Sequence, residues 1–537
     1  MAQLCYTVEL QSGERFEGCA EARGEVRAVL PLHGVLRAVT ARMKLALGAD
    51  EKIFMNGFQT WSYCPEYTRA DRIRSLRRLP RKGVEHYGLD RYGDYYFVDY
   101  PDRPGLTHGE SWCYFRRGER FRLIASLDEA PGYTLFSFDA ERGELTIERD
   151  CAGLAVDGEY HALDLFFAEG CEAEVFDAWF AAMGVRCRTQ EKMAGYSSWY
   201  NRYEDISEAS IREDLEGCAK VLSPGDLFQI DDGWEENVGD WLGTDPVKFP
   251  HGLKPLADEI HAAGFKAGLW LAPFVANRRS KLFREHPDWF FLRDGKPWYC
   301  GSNWGGFYAL DIDKPQVQAY LRESFRRVFE DWDFDLVKLD FLYGAAPFGN
   351  EKETRAGRMI RAMRFLRELC GDKLILGCGV PVMPAFGLVD YCRVSCDVGL
   401  DWDGSWLMRQ THRERVSTRQ AIANTIFRRQ LNGRAWLSDP DVFFLREDNL
   451  KLTGEEKENL CAVNALFGGM LLCSDNMGQY GDKALAAYRR TLETREAENI
   501  RVEADEPDLV TVRYTLGGEE KALKLRDICL KKPKTRK

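Results

Sequence analysis

Residues 317–340 read VQAYLRESFRRVFEDWDFDLVKLD: a helical pattern over 317–329, then a strand over 334–340 that ends on Lys338 and Asp340. A helix that returns the chain to a buried strand is the repeating unit of an α/β fold. The alternation continues on both sides. Strand-like segments lie at 193–200, 226–232 and 266–272 before it, and at 374–378, 391–395, 434–438 and 468–473 after it. Helical patterns separate them, among them 206–221, 253–263 and 354–369. Eight strands alternating with helices over this length predict a (β/α)₈ TIM barrel.

Outside these limits the pattern changes. Residues 1–185 carry short alternating runs at 6–10, 95–100, 120–125 and 133–138, punctuated by Gly, Pro and Asp, which predicts a β-sandwich. The predicted architecture is multidomain β plus α/β. It has an N-terminal β-sandwich at 1–185, a central barrel at 186–480 and a small C-terminal antiparallel β domain at 481–537. That last domain is entered through a short helical stretch and ends in a basic tail.

Composition narrows the function classes. With 45% hydrophobic and 30% charged residues, the 537-residue chain has ordinary material for several cores. A formal net charge of −11 argues against nucleic acid as the ligand. The basic cluster at 531–537 is short, follows no aromatic platform and reads as a solvated tail. The 14 Trp and 22 Tyr offer flat faces suited to sugar rings, although a large α/β core uses many aromatics in any case. No run approaches the ~18 apolar residues of a membrane span, and residues 1–10 lack the basic and apolar regions of a secretion signal. The 16 cysteines are scattered, with no CxxC pair. A cytoplasmic protein with free thiols is therefore expected. The eight histidines are dispersed, and HExxH, Walker, GxGxxG and GxSxG motifs are missing, so neither metal nor cofactor is expected. The oligomeric state stays open, a homo-oligomer included.

The barrel locates the chemistry at the C-terminal ends of its strands. There stand Trp199 and Tyr200, Asp231 and Asp232, Trp270, Lys338 and Asp340, Cys378, and Arg393 with Asp397. Glycoside hydrolysis in its commonest form needs two carboxyl groups flanking the bond. Lys338 and Asp340 are two apart on a strand and so share a face; the ammonium would keep Asp340 ionised, as a nucleophile requires. The bland alternative is a buried salt bridge filling the barrel end. Asp397 suits a general acid, with Arg393 to tune it; Asp401 and Asp403 are rivals that spacing does not exclude. Asp231-Asp232-Gly233 either holds paired hydroxyls or forms a plain turn, and both carboxylates contribute only if the strand end curls. Trp270 and Trp61 are candidate aromatic walls. Asp439-Pro440-Asp441 reads as a structural turn.

Eleven motifs between residues 228 and 441 run in order: FQIDDGW, GDW, KFP, GLKPLAD, GLWLAPF, REHPDW, YALD, VKLDF, ILGCG, RVSCD and WLSDPD. Together with NGFQTWSY at 56–63, they resemble the α-galactosidases of glycoside hydrolase family 36, most of all the compact bacterial members. The resemblance implies a β-sandwich, a catalytic barrel, a C-terminal β domain and a metal-free, retaining double displacement. It places the nucleophile on Asp340 beside Lys338, and the acid/base on Asp397 after Arg393. Substrate-binding roles fall on Asp231, Asp232, Trp270 and Cys378, with Trp61 as a wall and Tyr200 near the pocket. Departures at 398–402, at Phe58 (where a Trp is usual) and in the cysteines of 392–396 fall near the leaving-group side or the 2-substituent.

The first expectation is an exo-α-galactosidase acting on a small-molecule α-galactoside. An α-N-acetylgalactosaminidase or a transglycosylase would use the same residues. A catalytically silent sugar-binding protein on the same fold is the reading from another class; retention of both carboxylates, Lys338 and Arg393 weighs against it.

Overall fold

The computed structural model describes residues 2–411, 413–504, 506 and 508–528; the basic tail at 531–537 lies outside them. The central strands are β1 (Met193–Ser197), β2 (Leu227–Ile230), β3 (Lys266–Leu271), β4 (Leu336–Leu339), β5 (Leu374–Gly377), β6 (Tyr391–Arg393), β7 (Leu437–Asp439) and β8 (Met470–Cys473). From β1 to β7 each pairs in parallel with the next, and β1 also pairs with β8. Pro440, which has no N–H to give to a ladder, and Asp441 interrupt the seventh strand. Its continuation, Val442–Phe443, pairs with β8, so the ring closes as a TIM barrel.

The strands are short and almost wholly buried, as expected where helices cover a parallel sheet. The helix preceding β4 spans Pro315–Arg326, with Pro315 in its first turn and Val317, Leu321 and Phe325 buried. Spacing of three to four residues puts these side chains on one face, against the barrel. The first predicted strand ends earlier than expected, because Trp199–Arg202 turns into a short helix. Between β3 and β4 lies a three-stranded antiparallel sheet of Val275–Asn277, Tyr299–Gly301 and Phe307–Ala309, which the sequence reading missed. Strands of three residues are too short for alternation to register.

The N-terminal region forms the expected sandwich. Its strand Gly24–Lys44 is shared: the first half pairs with Ala155–Cys171, the second with Gln3–Leu10 and Glu144–Asp150. Leu32, Leu36, Phe115, Phe138 and Ile147 fill the space between the layers. Cys5 and Cys19 face each other on paired strands and form a disulfide, which corrects the free-thiol expectation for this pair; the remaining described cysteines are free. Spacing along the chain says nothing of such a cross-strand partner. Glu498–Glu503, Leu509–Leu516 and Glu519–Arg526 make a C-terminal antiparallel meander. Among the described residues, no helix is long and apolar enough to cross a membrane.

Candidate active site

At the C-terminal ends of the barrel strands a cavity of about 570 Å³ opens, with Asp231, Asp232, Trp270, Lys338, Asp340 and Asp397 in its wall. Strand register explains the grouping. Trp270 on β3 pairs with Lys338 on β4, and Asp340 lies two residues on, so all three face inward. Lys338 Nζ donates to Asp231 Oδ2 at 2.9 Å. Trp270 Nε1 donates to Asp340 Oδ2 at 3.2 Å, and the Phe341 amide to Oδ1 at 2.8 Å. Burial pushes the Asp340 carboxyl above the ordinary aspartate value; Lys338 pulls it back down, and Asp397 adds to the rise. Burial opposes the Lys338 charge, yet Asp231 and Asp340 hold its pKa above the usual lysine value.

The strand end at Asp231-Asp232 does curl. β2 stops at Ile230 and Gly233 takes φ +113°, where a Cβ would stand 2.8 Å from the Glu204 carbonyl oxygen. Both carboxylates consequently reach the cavity. Asp232 accepts from Trp304 Nε1 at 2.9 Å; burial, then the neighbouring Glu235, raises its pKa well above the aspartate range.

On the far wall Arg393 is buried beneath Asp397 and shared among three carboxylates: Asp397 at 2.8 Å, Asp439 at 3.1 Å and Asp441 at 2.8 Å. Asp397 alone of the three lines the cavity, with its side chain 38% exposed. Burial pushes Asp441 up to about 7 despite Arg393. Neither rival lines the cavity. Asp403 is buried against Arg415 and Arg419, and Asp401 caps the Gly404 amide. Asp439-Pro440-Asp441 supports Arg393 from below, which fits a structural turn.

The loop 56–63 reaches across from the sandwich. Trp61 lines the cavity, and its Nε1 donates to Cys378 Sγ at 3.4 Å. Gly379, at φ +55°, leaves room for this ring; a Cβ there would meet it at 2.8 Å. Buried Arg428 anchors the loop, donating to Asn56 Oδ1 at 3.0 Å and to the carbonyls of Thr60 and Gln59 at 2.6 and 3.0 Å. Each orphaned buried acceptor costs about 1–3 kcal/mol. Arg428→Met is therefore expected to lower the melting temperature and, through Trp61, to raise KM. An unchanged melting temperature would mean that the loop holds without it.

Three expected residues sit behind the wall. Cys378 touches Trp61 and lies beside Asp340, Arg393 is covered by Asp397, and the Tyr200 hydroxyl donates to Asp441. Trp199, from the same turn as Tyr200, lines the cavity instead. Phe58 packs on Phe97 and Tyr133 and does not line the cavity. The sequence reading missed Trp304 and Phe341. Both rings line the cavity, 4.8 Å apart, and both residues have left-handed backbones (φ +52° and +53°). A non-glycine residue held there costs on the order of 1–3 kcal/mol, and such strain clusters at functional sites.

The chain is similar to known proteins in sequence and in fold. Residues 183–367 match the Melibiase family. The chain is 30% identical over 153 residues to an alpha-galactosidase of Escherichia coli, a match covering 27% of this chain and 21% of that protein. It is 26% identical over 196 residues to alpha-galactosidase AgaA of Geobacillus stearothermophilus, covering 34% and 26%. The matched stretches thus span about a fifth to a quarter of these relatives' length. Over the whole chain the fold is similar to TtGalA, an alpha-galactosidase from Thermus thermophilus solved in complex with p-nitrophenyl alpha-D-galactopyranoside. The TM-score is 0.73 and the identity 29%, over 96% of this chain and 98% of that one. The alpha-galactosidase of Lactobacillus brevis, at 13% identity and a TM-score of 0.61 over 99% and 79%, shares the fold.

Proposed function

We propose that this protein is a retaining exo-α-galactosidase in which Asp340 is the nucleophile and Asp397 the acid/base. The observation that carries the reading is that these two carboxylates open into one cavity at the barrel mouth, each with a cation beside it. In the proposed reaction Asp340 Oδ attacks the anomeric carbon as Asp397 protonates the departing oxygen, leaving a β-linked glycosyl-aspartate. Asp397 then removes a proton from water, which displaces Asp340 and releases α-galactose. Asp231, Asp232 and Lys338 supply polar atoms for the sugar hydroxyls, and Trp270, Trp304 and Phe341 supply flat faces.

Hydrolysis of the 4-nitrophenyl α-glycosides of galactose, N-acetylgalactosamine and glucose tests the reading. Preference for the galactoside is expected. Preference for the N-acetylgalactosaminide would keep the chemistry and change the sugar, while no turnover of any would favour a silent sugar-binding protein. Lys338→Met gives a further check. The nucleophile must be ionised, and Lys338 lowers its pKa. Without Lys338 the acid limb of the kcat/KM profile should move to higher pH; an unmoved limb would remove Lys338 from this role.

A further inference from the structure

We infer that the outer half of the cavity is a subsite for an apolar leaving group, so that the preferred substrates are α-galactosides of hydrophobic alcohols rather than of a second sugar. The inference rests on the proposed galactosidase activity and adds the substrate class.

The cavity changes character with depth. Its floor is polar and buried: Asp231, Asp232, Lys338 and Asp340 are between 2% and 8% exposed. Its outer wall is apolar. The segment 79–92 contributes Leu79, Pro80, Val84, Tyr87 and Leu89, from the helix Arg81–Tyr87 and its two flanks, and Met408 and Val416 come from a second segment. Two polar members of that second segment are turned inward. Glu414 accepts from Ser62 Oγ and the Asp94 amide, and Arg415 is paired with Asp403. Glu204, which is exposed, and Ser302 and Asn303, beside Trp304, are the polar residues left at the lip.

Exposure makes the same point independently. Among the described residues, eight large hydrophobic side chains are exposed, and Tyr87 (55%), Met408 (42%) and Val416 (52%) all line this one cavity. Trp406, 68% exposed, begins the helix that carries Met408. Exposed apolar side chains gathered around a polar pocket mark a binding surface, whereas scattered ones need no explanation. A second sugar would bring hydroxyls against a wall that offers them few partners, and desolvating them there is unfavourable. An alkyl or aryl group would bury the same wall with gain.

The test is kcat/KM across methyl, n-butyl, n-hexyl and n-octyl α-D-galactopyranosides, whose leaving alcohols are alike in reactivity, beside melibiose. Burying a methylene favours binding by roughly fourfold. The hexyl compound is expected to exceed the methyl one by at least about 30-fold and to exceed melibiose. The double variant Met408→Gln/Val416→Thr, at two surface positions, should cut the hexyl-to-methyl ratio by about tenfold or more. A flat alkyl series with the methyl compound turned over, or melibiose as the better substrate, would overturn the apolar subsite and leave the galactosidase reading standing. A flat series together with dimers that dissociate in the double variant would assign the rim to a second copy of the chain. No turnover of any galactoside, the 4-nitrophenyl one included, would remove both readings.

Discussion

Asp340→Asn should reduce kcat on 4-nitrophenyl α-galactoside by about 10⁴-fold or more while leaving the protein folded. At about 1.36 kcal/mol per tenfold, that is at least about 5 kcal/mol of barrel-mouth chemistry resting on one charge. Asparagine keeps the shape and the acceptor for the Phe341 amide, but it lacks the anionic oxygen that attacks. The melting temperature separates this role from a structural one. Asp340 is buried, and burial raises its pKa above the ordinary value, so its ionised form is held at a cost. Removing the charge should leave stability unchanged or raise it, as at sites where function is kept at the expense of stability. A salt bridge that merely filled the barrel end would behave the other way, with lower stability and modest loss of rate. Azide offers a stereochemical readout. In Asp340→Gly it should enter the vacated space and give β-galactosyl azide from an activated galactoside. Activity of Asp340→Asn within tenfold of wild type would sink the nucleophile assignment.

The sequence made the barrel legible because its strands, buried on both faces, are continuous apolar runs that end abruptly on charged residues. Leu336-Val337-Lys338-Leu339-Asp340 shows the charged end, with Lys338 breaking the apolar run two residues before it. Asp397 was separable from Asp401 and Asp403 only in three dimensions, because the distinction lies in which carboxylate opens to the cavity and which is spent on Arg415 or a loop amide. Trp304 and Phe341 stayed hidden for a different reason. Their rings enter the cavity through left-handed backbone at ordinary residues, a choice made by the surrounding fold and not by local propensity. Tyr200 was misplaced by one residue of rotation. A strand would carry it past β1 toward the mouth, but the helical turn Trp199–Arg202 exchanges it with Trp199 and sends its hydroxyl down to Asp441. The apolar outer wall was illegible altogether, since it joins residues 79–92 with residues 408–416 across more than 300 positions of sequence.

Asp397→Ala should produce a loss whose size depends on the leaving group. General acid catalysis typically contributes about 10²–10⁴-fold. An alkyl alkoxide needs that proton to depart, so alkyl galactosides should lose about this factor. A 4-nitrophenolate departs without it, so the first step should survive and the glycosyl-enzyme accumulate, because the base that activates water is gone as well. A burst of nitrophenol followed by slow turnover is the expected trace. Azide, which needs no base, should restore turnover and give α-galactosyl azide, the anomer opposite to that from Asp340→Gly. The surroundings of Asp397 support the double duty. Its side chain is 38% exposed at the cavity wall, and its cation, Arg393, is divided between it, Asp439 and Asp441. A guanidinium shared three ways holds Asp397 in place at the cavity wall. If Asp397 served only to neutralise Arg393, its removal would instead leave a buried charge less well paired. The loss would then be the same for every leaving group, the melting temperature would fall, and azide would rescue nothing.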